Sequence, residues 1–152
     1  MSNEELKGWI TGLFPSVTVE EGSEWLNLQI EPALLLPLAH ALRSGEELAF
    51  DYLFCLTAVD FKTHLMMVYH LTSFRHRHTL VLKSKLDRSK PEIESLSFEW
   101  RTAEFHEREA YELFGVNFLN HPDLRLLILP DGWEGRNPMR KDYEDPVNII
   151  KL

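Results

Sequence analysis

The chain has 152 residues, a formal charge of −8 at pH 7 and apolar side chains at 44% of positions. That is about one domain's length with enough apolar content for a core, which excludes wholesale disorder. The acidic balance excludes nucleic-acid binding and direct docking on anionic lipid as main roles, because both need a basic face.

In chain order, the spacing of Leu6, Trp9, Ile10 and Leu13 predicts a helix over 3–13, with Asn3 as its cap. Val17–Glu20 and Trp25–Ile30 are short alternating runs around Glu21-Gly22-Ser23 and read as a β-hairpin. Pro32 opens a second helix that runs through Leu42 to a stop at Ser44-Gly45, with Pro37 as a point of kinking or shortening. Glu46–Phe61 is mixed, fitting helix then strand. Leu65–Leu71 and Thr79–Lys85 read as two strands, and Trp100–Phe114 as a helix ending at Gly115. Neighbouring strands with short links favour antiparallel pairing. The fold class expected is α+β: a single, mainly antiparallel sheet with helices packed on a face, over residues 1–119, followed by an extended C-terminal tail, 120–152.

The tail is the unusual part. Gly115, His121-Pro122, Pro130, Asp131-Gly132, Gly135 and Asn137-Pro138 break the chain repeatedly. Leu124, Leu126, Leu127, Ile128, Leu129, Trp133 and Met139 nevertheless need cover. The economical reading is a tail lying along a partner surface, mobile in the isolated chain or held there by a crystal neighbour, which makes the protein a subunit. Trp133, Arg136, Arg140, Lys141 and Tyr143 are residue types that dominate interface hot spots.

Candidate chemistry is sparse. Cys55 is the only cysteine and sits in an apolar run, so a buried, inert thiol is expected and no iron–sulfur or zinc site is available from it. The glycines form neither a dinucleotide-binding nor a phosphate-binding loop. His64, His70, His76 and His78 are the only hint of a metal site, and they lack ligand spacing. Glu104, Arg108 and Glu112 are four apart in succession, which reads as a solvated or interface charge ladder. His106 has no partner residue placed for a triad. The N-terminus has no basic and apolar leader, and no apolar run spans a bilayer; a cytoplasmic or organelle-matrix location follows.

Several pieces recur together in a known order: Glu107-Arg108-Glu109, Tyr111 to Gly115, Phe118, His121-Pro122-Asp123-Leu124-Arg125, Leu129-Pro130-Asp131, Trp133-Glu134-Gly135, Pro138 and Arg140-Lys141-Asp142-Tyr143. Leu56 to Asp60 and Val68 to Leu71 add upstream support. This segment closely resembles the 30-kDa subunit family of respiratory complex I, the proton-pumping NADH:quinone oxidoreductase. The chain departs from the family pattern at Leu126, Glu112 and Asn120, where Arg, Asp and Gly are usual, and is one residue longer around Pro138. The resemblance implies a cofactor-free structural and assembly subunit of the peripheral arm. It implies packing against the 49-kDa quinone-site subunit and the cluster-carrying subunits, on the cytoplasmic side of the inner membrane or the matrix side. Flavin and iron–sulfur clusters would belong to those neighbours. The interface residues it implies are Glu107, Arg108, Glu109, His121, Asp123, Arg125, Trp133, Arg140, Lys141 and Tyr143. Related subunits occur in membrane-bound hydrogenases and formate hydrogenlyases. A free-standing metal enzyme using the four histidines is the reading from a different class.

Overall fold

The computed structural model describes residues 1–148. Helix α1, Asn3–Leu13, is started by Ser2, one residue before the expected cap. The Ser2 hydroxyl accepts from the Glu5 amide while the Glu5 carboxylate accepts from the Ser2 amide, so two orphan donors of the first turn are satisfied reciprocally. Leu6 and Ile10, one turn apart, are the buried face. Helix α2, Pro32–Ser44, has Pro32 in its first turn, where the missing N–H costs nothing, and it continues through Pro37. Leu35, Leu38, Ala39 and Leu42 form its buried stripe.

Strands β1 (Thr18–Glu20), β2 (Leu26–Gln29), β3 (Tyr52–Asp60), β4 (His64–Ser73) and β5 (His78–Asp87) make one sheet in the order β1-β2-β5-β4-β3. The hairpins β1–β2, β3–β4 and β4–β5 are antiparallel as expected, while β2 and β5 are parallel. On β4 the burial alternates strictly. Leu65, Met67, Tyr69 and Leu71 face the helices, and Met66, Val68 and His70 lie on the other, half-exposed face. That second face carries an aromatic group of Trp25, Tyr52, Phe54, His70 and Phe74. A register shift between Leu53 and Cys55 puts Cys55 opposite His70 on this face. The thiol is therefore half-buried and not, as expected, in the core. The expected helix within 46–61 is only a turn before β3.

The second layer is completed by a small parallel pair, β6 (Glu92–Glu94) and β7 (Asn117–Leu119), joined by helix α3, Ala103–Phe114. Two side-chain bonds dock the start of α3 beside the sheet: Trp100 Nε1 donates to the Phe50 carbonyl at 2.9 Å, and Thr102 Oγ1 to the Leu53 carbonyl at 2.7 Å. Ala103, Ala110 and Phe114 join the core with Leu53, Leu56 and Tyr69. Gly115 ends α3 in the left-handed region (φ 78°) and donates to the Tyr111 carbonyl, as a C-terminal glycine does. From Asn120 to Asn148 the chain has no helix or strand.

A Cβ added at Gly115 would stand 2.6 Å from the side-chain amide nitrogen of Asn137. Gly115→Ala therefore combines left-handed strain with a clash against the tail, and is expected to cost about 1–3 kcal/mol. Urea unfolding measures this, and an unchanged midpoint would show that Asn137 does not pack there.

Candidate functional site

The distinctive site is the surface of α3 and of the β3–β4 end on which the tail lies. A backbone without helix or sheet must find partners for its amides and carbonyls. Here the domain supplies them from buried side chains. Glu112, 1% exposed, accepts the amides of Leu127, Ile128 and Leu129 at 2.8–3.1 Å. One turn earlier, Arg108 donates through Nε to the Arg125 carbonyl at 3.1 Å and through an Nη to the Leu126 carbonyl at 2.6 Å. A carboxylate and a guanidinium four residues apart thus grip donors and acceptors of one extended stretch. Leu124 adds an apolar contact to the core.

The tail is held at two further places. His121 donates from Nε2 to the Glu104 carbonyl at 2.9 Å, while its Nδ1 accepts the Asp123 amide at 3.0 Å. These roles define a neutral imidazole with the proton on Nε2. At the far end, Asp60 accepts from Arg88 Nε (3.0 Å) and Nη2 (2.9 Å), from the Lys62 amide (2.7 Å) and from the Lys141 amide (2.9 Å). Arg88 also holds Asp142 at 2.8 Å, and Arg140 donates to the Phe114 carbonyl at 2.7 Å. The Arg88 guanidinium first, and then the two amides, hold the Asp60 carboxyl far below the usual carboxylate range against the opposing effect of burial.

The residues expected at an interface divide accordingly. Glu107 is wholly buried and bonds Ser95 Oγ (2.6 Å) and the Leu96 amide (2.7 Å) of its own chain. Arg108 is 6% exposed and committed to the tail. The solvated ladder is thereby corrected: Arg108 bonds carbonyls and not the carboxylates of Glu104 or Glu112, because the tail covers that side of α3. The His121 side chain is buried, whereas Asp123 and Arg125 are exposed and paired with each other at 2.8 Å. Glu109 and Tyr143 are half-buried, and Lys141 is exposed with its backbone amide on Asp60. Trp133 is half-buried beneath the Arg136 guanidinium, 4.7 Å from its ring. Arg140 is half-buried.

Sequence reasoning missed Asp60, Arg88, Ser95 and the full role of Glu112. Residues 120–143 bond the chain's own domain at these positions; residues 149–152 lie outside the described residues. The four histidines do not converge. His64 stacks on Phe61, His70 sits beside Trp25 and Phe54, and only His76 and His78 adjoin, with ring centres 5.6 Å apart. Among the described residues, no group of three or more His, Cys, Asp or Glu is placed to hold a metal ion. No helix among them is long and apolar enough to cross a membrane.

Two outcomes test the anchors. Glu112→Ala leaves three amides without their acceptor and is expected to free residues 124–129 at a cost of about 1–3 kcal/mol. That is roughly ten- to hundredfold faster tryptic cleavage after Arg125, and unchanged cleavage would exclude the clamp. Asp60→Asn is expected to lower stability at neutral pH, because a depressed carboxyl stabilises the fold above its unfolded value near 4. Below about pH 4 the wild type loses that contribution and its urea midpoint should approach the variant's; a pH-independent gap would sink the assignment.

The chain matches the family described as respiratory-chain NADH dehydrogenase, 30 Kd subunit, over residues 28–147. It is 38% identical over 134 residues to the NADH-quinone oxidoreductase C subunit of Chloroherpeton thalassium, covering 87% of this chain but only 51% of that protein. It is 39% identical over 140 residues to the F(420)H(2) dehydrogenase C subunit of Methanosarcina mazei, covering 89% and 87% of the two chains. Its fold resembles a chain in the structure of the membrane-bound sulfane sulfur reductase, an archaeal respiratory membrane complex. The TM-score is 0.80 at 24% identity, with 93% of this chain and 85% of that one covered. The α+β fold, the order of motifs along α3 and the tail, and the match over most of the chain lead to one assignment: the chain belongs to the 30-kDa subunit family of the respiratory-chain NADH dehydrogenase.

Proposed function

We propose that this chain is a non-catalytic subunit whose task is to present its C-terminal strap, residues 120–148, as a docking surface in the peripheral arm. Family membership supports placing it in a multi-subunit NADH:quinone oxidoreductase. The proposal concerns its role there. One observation carries it. The inner side of the strap is fixed by buried polar groups of the domain, while its outer side leaves Ile128 69% and Met139 57% exposed. Apolar groups held outward on a pre-ordered backbone dock a partner at low ordering cost. The partner assigned is the 49-kDa quinone-site subunit, with Trp133, Arg140, Lys141 and Tyr143 at the contact. Glu109, Asp123 and Arg125 lie at its margin. Flavin and iron–sulfur clusters are assigned to neighbouring subunits, and this chain contributes position, not electron transfer. The place proposed is the cytoplasmic or matrix side, with membrane contact only through the complex.

A second reading keeps the same scaffold in a complex with another electron donor, a hydrogenase or formate hydrogenlyase. The likeness to the F(420)H(2) dehydrogenase protein favours keeping it in view. Both readings share the strap.

The double variant Ile128→Asp/Met139→Asp alters only exposed side chains and should leave the urea midpoint of the isolated chain unchanged within about 0.5 kcal/mol. In cells producing the complex it should fail to co-purify with the quinone-site subunit. Normal co-purification with normal quinone reductase activity would exclude the outer side of the strap as the docking surface.

A further inference from the structure

Phe98 is 77% exposed, more than any other aromatic side chain among the described residues. Its backbone is nevertheless fixed. Leu96 and Trp100, on either side of the turn, are buried in the core, and the Leu96 carbonyl accepts the amides of Glu99 at 3.0 Å and Trp100 at 2.9 Å. The Ser97 amide donates to Ser95 Oγ at 3.2 Å. A ring held out on so constrained a turn brings little backbone entropy to lose when a partner covers it.

A hollow lies on each side of the ring. One, of about 450 Å³, runs between Leu36 and Pro37 of α2 and Asn120 at the root of the strap. The other passes Arg101 and reaches Pro122 of the strap. Asn120 is itself tied down, its Nδ2 donating to Glu94 Oε2 at 2.9 Å. Apolar surface continues toward the strap at Phe105, 55% exposed. The Arg108 guanidinium lies 5.5 Å from its ring centre and bonds the carbonyls of Arg125 and Leu126. The strap is bonded at Glu104 through His121 and at Glu112 through Ile128. Eight residues of α3 separate those points by about 12 Å, well within one standard interface of about 800 Å² a side. The rim of the two hollows is acidic. Glu94, Glu99 and Glu104 line them, with Arg101 the one Lys or Arg among the described residues there. Two copies of this chain meeting here would set carboxylates against carboxylates in a protein of net charge −8, so the rim disfavours a second copy and favours a basic partner surface.

We propose that this groove is a second seat for the subunit that docks on the strap, and that it takes an apolar projection of that subunit flanked by lysine or arginine. The inference rests on the docking role proposed for the strap and names what the same partner carries at the strap's root. Phe98 is the anchor: covering its ring removes apolar surface from water against Leu36, Pro37 and Pro122. Glu94 and Glu99 meet the basic flank, which orients the partner more than it adds affinity. Contact at the groove and at Ile128 holds the partner at two points along α3, and so sets its angle to this domain as well as its position.

The test is photo-crosslinking in cells producing the whole complex, with Phe98→p-benzoylphenylalanine in one strain and Ile128→p-benzoylphenylalanine in another. Both are expected to give adducts with the quinone-site subunit, and the peptide joined at Phe98 is expected to carry an apolar residue beside Lys or Arg. Phe98→Ala should leave the urea midpoint of the isolated chain unchanged and speed dissociation of the complex by about tenfold or more. An adduct from Ile128 without one from Phe98, a Phe98 adduct with a different subunit or a second copy of this chain, an acidic joined peptide, or unchanged dissociation of Phe98→Ala would each overturn the shared seat and leave the strap's docking role standing. Adducts from Phe98 alone would remove that role and the shared seat with it. Adducts from both positions with one subunit other than the quinone-site subunit would correct the partner assigned to the strap and support the shared seat.

Discussion

A segment that forms neither helix nor sheet still carries one donor and one acceptor at nearly every residue, and those it buries must be bonded. The strap from Asn120 meets this constraint by borrowing side chains from the domain: Glu112 for three amides, Arg108 for two carbonyls and Asp60 for one amide. The dependence runs both ways. Glu112, at 1% exposure, has strap amides as its hydrogen-bond partners. A buried carboxylate stripped of such partners costs several kcal/mol. Strap and domain thus bury one another's polar groups: Glu112 and Arg108 bond strap backbone on a side of α3 that the strap itself covers.

The same constraint separates the two sides of the strap. Polar backbone groups turn inward to α3, and the side chains of Ile128 and Met139 are left outward. Isolated exposed apolar residues are ordinary. Here they sit on a backbone whose position is determined by charged, directional bonds. In the docking role proposed above, a backbone already placed by such bonds leaves less conformational entropy to be lost on association.

Much of the fold was legible because local rules agreed with the tertiary outcome. The β4 segment alternates in hydrophobicity and in burial, and α2 is bracketed by Pro32 and Gly45, so periodicity and punctuation marked both. The parallel pairing of β2 with β5 was not legible, since Leu26 and its partner Leu80 are far apart in sequence and either strand alone fits a hairpin equally well. Nor was the burial of α3. Glu, Arg and Glu at intervals of four describe a solvated helix as well as one roofed by an extended chain, and only the roof decides. Asp60 was visible in its motif as a residue but not as an anchor, because its partners Arg88 and Lys141 carry no local signature.

These separations also order the events of folding and exchange. The bond from Asp60 to the Lys141 amide spans 81 residues, and the Arg88–Asp142 pair spans 54. Both require the β3–β4 hairpin and α3 to be in place before the strap can gain anything by closing, so loop-closure entropy makes them late contacts. Late contacts made without a regular hydrogen-bonded ladder are the first to open in local fluctuations. The strap is therefore expected to be the least protected part of the described domain, while in the proposed role its outer side meets a partner. A docking element benefits from that combination: it is ordered enough to be recognised, and its opening need not cost the core its packing.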